Sequence, residues 1–269
     1  MSVKYCFWSV ADGDYGALME QCVRTAHTSG VFKEFHVLCD RPLQGCHCYD
    51  AFKCDKTHGL FKLHYLKVGM SRMTFDYFVW LDADTVFVRN PLDLLGTLCN
   101  SPIHVPLEGS LASVKEDRKW KGTTISKLRE LFREGGIVNE LYLSQSAFWI
   151  VHRDAIDQVY DLALQFWNRA KTSGILLDVS AALGYAMQLL CANPEAHLVT
   201  TRPDVWASDD SGQFAGAPPD GQPWNWRLPL KEESVVVQPC IVHLPTAKRD
   251  LFQPKVQPEG SRSPEPLSL

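Results

Sequence analysis

No stretch of the 269-residue chain approaches the ~20 consecutive apolar residues that a membrane-spanning helix needs. The opening MSVKYCFWSV has no charged segment leading into a longer apolar run, so no signal peptide is expected. Lys and Arg total 27 against 31 Asp and Glu, and no basic arm or stripe gathers them. That argues against nucleic acid as the main partner. A Gly-rich, basic phosphate loop near the N-terminus is missing, which argues against a nucleotidyltransferase, and there is no internal repeat. Cys-x2-Cys pairs are also lacking: Cys39, Cys46, His47, Cys48, Cys54 and His58 cluster without the spacing of a zinc knuckle. Nine scattered cysteines, an odd number, fit reduced thiols and a cytoplasmic location better than a disulfide framework.

What is present suits one α/β domain. Hydrophobic residues make up 45% and charged residues 22%, enough apolar side chain for a sizeable core. Strand-like runs at 3–10, 35–39, 77–81, 103–107, 147–151 and 235–242 alternate with helical periodicity at 18–26, 60–73, 124–133, 155–170 and 178–191. Asp12 or Asp14 is placed to cap the first helix, Gly30 to close it, and Asp178 to cap the last. The 124–133 helix reads as polar and superficial. This alternation predicts a mainly parallel central sheet flanked by helices, spanning residues 1–252. Residues 207–227 have the composition of a Gly/Pro/Trp loop, with Trp206, Trp224 and Trp226 as candidates for a lid over a ligand or for packing. Residues 253–269 are Pro/Ser/Glu-rich without periodicity and are expected to form a disordered tail.

The most informative stretch is YFVWLDADTVFVRNPLDLL, from Tyr77 to Leu95. It sets Asp82 and Asp84 directly behind the apolar run Tyr77–Leu81. Carboxylates are costly to leave unpaired beside a core strand, so two of them one residue apart predict a bound cation. Their hard oxygens suit Mg²⁺ or Mn²⁺ better than zinc, and such ions take remaining ligands from water and phosphates. In sheets of this kind ligands sit at the carboxyl ends of the strands. The 60–73 helix runs antiparallel to strand 77–81, which brings Lys62 in its first turn to the same rim as Asp82.

The opening strand followed by ADGDYGALM, the FKLHYLK helix, the 77–95 block and a late strand ending in His243 together resemble nucleotide-sugar glycosyltransferases of the GT-A (Rossmann-like) fold. The likeness is nearest to the glycogenin-like members of family eight and spans about residues 3 to 250. It implies Mn²⁺ (or Mg²⁺) held by Asp82, Asp84 and His243, with Asp82 also near the ribose. It implies further that Ala11, Asp12 and Tyr15 border the base, that Lys62 steadies the donor and that Lys248 meets the departing phosphate. Asp178 and Gln145 take the places of groups near the reacting sugar. The implied reaction passes a glycosyl unit from a nucleoside-diphosphate sugar, uridine-linked, to a hydroxyl acceptor with retention. The segment from His243 to Lys248 is one residue shorter than the family's His-x-x-Gly-x-x-Lys-Pro-Trp and lacks its Gly, and Leu143–Ala147 replaces an Asn-Ser-Gly type segment.

Two other readings fit parts of the pattern. Asp82-Ala-Asp84-Thr-Val86 also obeys the first motif of haloacid-dehalogenase-type phosphatases, with Asp82 as nucleophile, Asp84 as acid and Asp209-Asp210 as a late acidic pair. That motif normally opens the chain, whereas here about eighty residues precede it. A protein that binds a nucleotide-sugar without catalysis is the other alternative.

Overall fold

A computed structural model describes residues 3–50, 59–70, 73–112, 114–138, 140–198, 204–208, 224–227 and 234–245. The first half contains β1 (Tyr5–Ala11), α1 (Tyr15–Thr28), β2 (Phe35–Cys39), β3 (His47–Asp50), α2 (Phe61–Met70), β4 (Tyr77–Leu81), β5 (Thr85–Phe87) and α3 (Leu92–Leu98). Next come β6 (Ile103–His104), β7 (Leu107–Ser110), β8 (Lys119–Trp120), β9 (Thr123–Thr124), α4 (Ile125–Glu134), β10 (Tyr142–Ser144), β11 (Phe148–His152), α5 (Ile156–Thr172) and α6 (Val179–Leu190). The last described elements are β12 (Trp206–Ser208), β13 (Trp224–Arg227), β14 (Ser234–Val237) and β15 (Ile241–His243). No described helix is long and apolar enough to cross a membrane. The 253–269 tail lies outside the described residues, as do Cys54, His58, Asp209, Asp210 and Lys248.

A six-stranded sheet in the order β3-β2-β1-β4-β11-β6 forms the centre. Strands β1, β2, β4 and β11 read as near-continuous apolar runs because both of their faces are covered, whereas the edge strand β3 is largely exposed. Side chains alternate between the faces with period two. Phe78 and Trp80 of β4 therefore enter one core with Trp8 and Trp149, while Val79 and Leu81 enter the other with Phe7 and Phe148. Trp80 and Trp149 are cross-strand neighbours, their rings stacked 5.6 Å apart at 8°.

The sheet is mixed, not mainly parallel. β1, β2, β3 and β4 run parallel, but β11 lies between β4 and β6 and is antiparallel to both. An apolar strand buried on two faces carries no periodicity that reveals its direction, so FWIVH reads the same either way. Two expected strands are also divided at prolines, which cannot donate to a ladder. Residues 103–107 split before Pro106 into β6 and β7, the latter pairing with β10. Residues 235–242 split around Pro239 into β14, paired with β13, and β15, which lies between β12 and β5. The expected 207–227 loop accordingly begins and ends in strand.

Helix α1 closes as its sequence predicts, with Gly30 at φ +78° and its N–H donating to His27 O. Its start differs: Asp14 occupies the N-cap position without a side-chain cap bond, and a backbone bond from Tyr15 N–H to Asp12 O makes the turn. Helix α4, read as polar, buries Ile125, Leu128, Leu131 and Phe132 at three- and four-residue spacing.

His197 and His104 form a buried pair, Nδ1 to Nδ1 at 2.7 Å. Such a bond holds a single proton between two rings, so it cannot survive protonation of both. Burial pushes the His197 pKa down to about 4. The unfolded chain then binds the extra proton first. The stability from the neutral ring is complete above the ordinary value of ~6.5 and is lost as pH falls toward 4. Denaturant melts between pH 7 and 4 should show a decline on the order of 3 kcal/mol from this group. The decline should be flattened in His197→Gln.

Candidate metal centre

β4 ends at Leu81, whose carbonyl accepts from Ser9 Oγ at 2.7 Å, and the chain turns through Asp82, Ala83 and Asp84 into β5. The turn is held from both sides. Asp82 N–H donates to Ala147 O at 2.9 Å, extending the β4–β11 ladder, and Leu244 N–H donates to Asp84 O at 2.8 Å. β15 runs antiparallel to β5 with His243 opposite Thr85, so a residue distant in sequence arrives beside Asp84. His243 Nε2 lies 3.2 Å from Asp84 Oδ1.

Asp82, Asp84 and His243 offer ligand atoms all within 4.8 Å of one another. The Asp84 and His243 side chains are only 9% and 11% exposed and that of Asp82 is 25% exposed, so water screens the two acids from each other only in part. Ser208 Oγ stands 2.8 Å from His243 Nδ1, placed there by the parallel β12–β15 pairing. A bond at Nδ1 orients the ring and directs Nε2 toward the acids, as partners of metal-bound histidines do. Two carboxylates and one imidazole suit Mn²⁺, and Mg²⁺ less well because of the nitrogen ligand. Converging on one point already, the three side chains fit such an ion without rearrangement of the strands.

Lys62 completes the electrostatics. Its ammonium is 2.6 Å from Asp82 Oδ1 and 3.2 Å from Ser146 O, and lies 5.4 Å from the Trp80 ring centre. The Trp80 indole N–H donates to the same Asp82 oxygen at 2.7 Å. Burial opposes ionisation of Asp82, yet Lys62, His243 and these hydrogen bonds outweigh it and hold the carboxyl below its ordinary value. Asp82 is thus a charged, anchored group.

These residues floor a cleft of about 430 Å³, lined also by Val10, Asp12, Tyr15, Phe61 and Pro245. Tyr15 is 37% exposed at the side of the cleft, while Ala11 is fully buried in the core beneath. Gln145 is not among the described lining residues. It is 3% exposed and its amide donates to Glu108 Oε1. Asp178 caps α6 by accepting from Ser180 N–H at 2.8 Å and pairs with Lys121 at 3.1 Å. Burial resists its ionisation, but Lys121 and the Ser180 bonds prevail and lower its pKa. Asp178 is tied indirectly to the cleft: Ser180 Oγ donates to Ser146 Oγ at 3.0 Å, and Ser146 O accepts from Lys62.

Ser208 and the Trp80 indole are not recognisable as site groups from the sequence, since Ser208 falls within the 207–227 stretch of loop composition and Trp80 reads as core. The strand period offers one usable signal, because Trp80 and Asp82 stand two residues apart on one face. Trp206 packs in the core at 2% exposure and so acts as filler there. Among the cysteines, Cys39 and Cys46 have thiols pushed up to about 12, chiefly by burial, in keeping with inert thiols. The chain matches no protein-family model and no curated protein.

Proposed function

We propose that the protein is a metal-dependent glycosyltransferase, which binds a nucleoside-diphosphate sugar in the cleft above Asp82 and Asp84 and passes the glycosyl unit to a hydroxyl acceptor. The observation that carries this reading is the meeting of Asp82, Asp84 and His243 beside Lys62 at the carboxyl end of β4. Lys62 offsets one of the two acids. A dication makes the local charge positive and so complementary to a diphosphate, which the bare carboxylates would repel.

Mn²⁺ held by Asp82, Asp84 and His243 would supply electrostatic stabilisation of the charge that develops on a leaving diphosphate. The protein's part is to hold its ligands still. Ser208 orients His243, and Trp80 with Lys62 fixes one oxygen of Asp82, leaving the other oxygen for the ion or a ribose hydroxyl. Tyr15 and Asp12, on the α1 side of the cleft, would border a uracil base, with the Tyr15 ring as a stacking face. In this reading Asp178 and Gln145 position the sugar side of the site through Ser180, Ser146 and Glu108. Lys248 belongs to the proposal as the group meeting the departing phosphate. A GT-A arrangement and retention of anomeric configuration belong to the proposal on the same footing, from resemblance.

A panel of uridine- and guanosine-diphosphate hexoses, with and without Mn²⁺, tests it by release of the nucleoside diphosphate. Donor-dependent, Mn²⁺-dependent release supports transfer. Turnover of p-nitrophenyl phosphate without any such release points to the phosphatase. Metal-dependent nucleotide binding that never releases product with any acceptor points to a binding protein.

A further inference from the structure

The described residues bring together one other set of metal-ligating groups, at the opposite edge of the central sheet from β6. Glu34, His36 and His47 present ligand atoms all within 4.8 Å of one another. The backbone accounts for the meeting. β2 and β3 run parallel with His36 directly opposite His47, and Glu34 precedes His36 by two residues. Phe7 N–H donates to Glu34 O at 2.9 Å, so the ladder already includes Glu34. The period of two then puts all three side chains on one face.

Both histidines aim the same nitrogen at one carboxylate oxygen. His36 Nε2 is 3.0 Å and His47 Nε2 is 3.6 Å from Glu34 Oε2. Their rings are stacked, 4.8 Å apart at 15°. For protons this arrangement is poor: two stacked imidazoliums repel, and one carboxylate neutralises only one of them. A single dication suits it better, since both rings then bind in neutral form. His36 is further fixed. Its Nδ1 lies 2.8 Å from the Tyr49 hydroxyl, and its ring meets the edge of Phe75 at 5.4 Å. Tyr49 follows His47 by two residues and shares its face. Its hydroxyl oxygen can accept the Nδ1 proton, which leaves the Nε2 lone pair free for a metal.

We propose that Glu34, His36 and His47 form a second metal site, selective for Zn²⁺, that staples the edge strand β3 to β2. Two imidazole nitrogens and a carboxylate are a borderline-soft set suited to zinc, whereas hard Mn²⁺ and Mg²⁺ prefer the acid-rich centre in the cleft. Three protein ligands leave a position for water. The exposed Glu34 and His47 side chains give the ion a path from solvent. The neighbouring thiols are not part of the set: Cys48 follows His47 on β3 and so points to the other face, its Sγ accepting from Leu43 N–H at 3.1 Å, and Cys46, just before β3, packs against the core that holds Val37 and Cys39. This site stands independently of the sugar-transfer reading.

Titration of the reduced 269-residue chain with Co²⁺, a spectroscopic substitute for zinc, tests it in an Asp84→Asn background that disables the cleft centre. The expected result is one equivalent of Co²⁺ with the visible bands of a low-coordinate nitrogen/oxygen site, displaced by Zn²⁺ and free of thiolate charge-transfer absorption. His47→Gln, at an exposed position that leaves the core untouched, should abolish those bands. Tyr49→Phe should weaken binding by roughly 10–100-fold. An unchanged stoichiometry and spectrum in His47→Gln, a thiolate spectrum, or no Co²⁺ binding at all would overturn the assignment.

Discussion

Asp84→Asn should lower Mn²⁺-dependent release of nucleoside diphosphate by on the order of 10²–10³-fold and leave the fold intact. The substitution keeps the shape of a side chain that is 9% exposed, so packing gives little reason for unfolding. Charge is what changes. Asp84 faces His243 Nε2 at 3.2 Å, and a neutral amide there removes one of the two carboxylates of the candidate metal centre. Without the metal, the two half-buried acids repel each other, and Asn relieves that repulsion. Thermal melts without Mn²⁺ should therefore show the variant at least as stable as the parent, while the rise in melting temperature produced by Mn²⁺ shrinks. Loss of turnover together with loss of the native circular dichroism spectrum would instead make Asp84 a structural residue.

Lys62→Met is expected to combine a loss of activity with a loss of stability that metal restores. The Lys62 and Asp82 side chains are 10% and 25% exposed, and their contact is 2.6 Å. Removing one partner of a fully buried pair costs ~3–5 kcal/mol, because the other charge stays desolvated and unpaired. Asp82 retains some solvent and the Trp80 indole bond, so the cost here should be about 2 kcal/mol in the absence of metal. Saturating Mn²⁺ supplies a replacement cation, so the variant should gain more stability from Mn²⁺ than the parent does. Equal gains in both proteins, measured by denaturant melts, would show that Asp82 does not reach the ion.

The acid pair and its setting are legible in the sequence, because an ordinary solvated turn is not flanked on both sides by apolar runs such as Tyr77–Leu81 and Val86–Val88. The antiparallel relation of a helix to the next strand places Lys62 at that rim, and the structure puts it in contact with Asp82. His243 enters from resemblance, but its meeting with Asp84 depends on the β5–β15 register, which no local pattern encodes. The same limit hides Ser208, held against His243 by a third strand. It also hides the Glu34–His36–His47 set. Reading along the chain groups His47 with Cys46 and Cys48, its neighbours in sequence, whereas strand alternation separates them and pairing across β2 and β3 gives His47 its actual neighbours. Sheet direction is illegible for a related reason: hydrophobic periodicity reports which faces are buried but not which way a strand runs.

Whether a dication is gripped at the end of β4 can be seen in an anomalous difference map from crystals grown with Mn²⁺ and uridine diphosphate. The expected map has a manganese peak bonded to the carboxylate of Asp84 and to His243 Nε2, with diphosphate oxygens completing its shell inside the cleft. A map with that corner blank while the nucleotide or the metal is bound elsewhere would contradict the assignment.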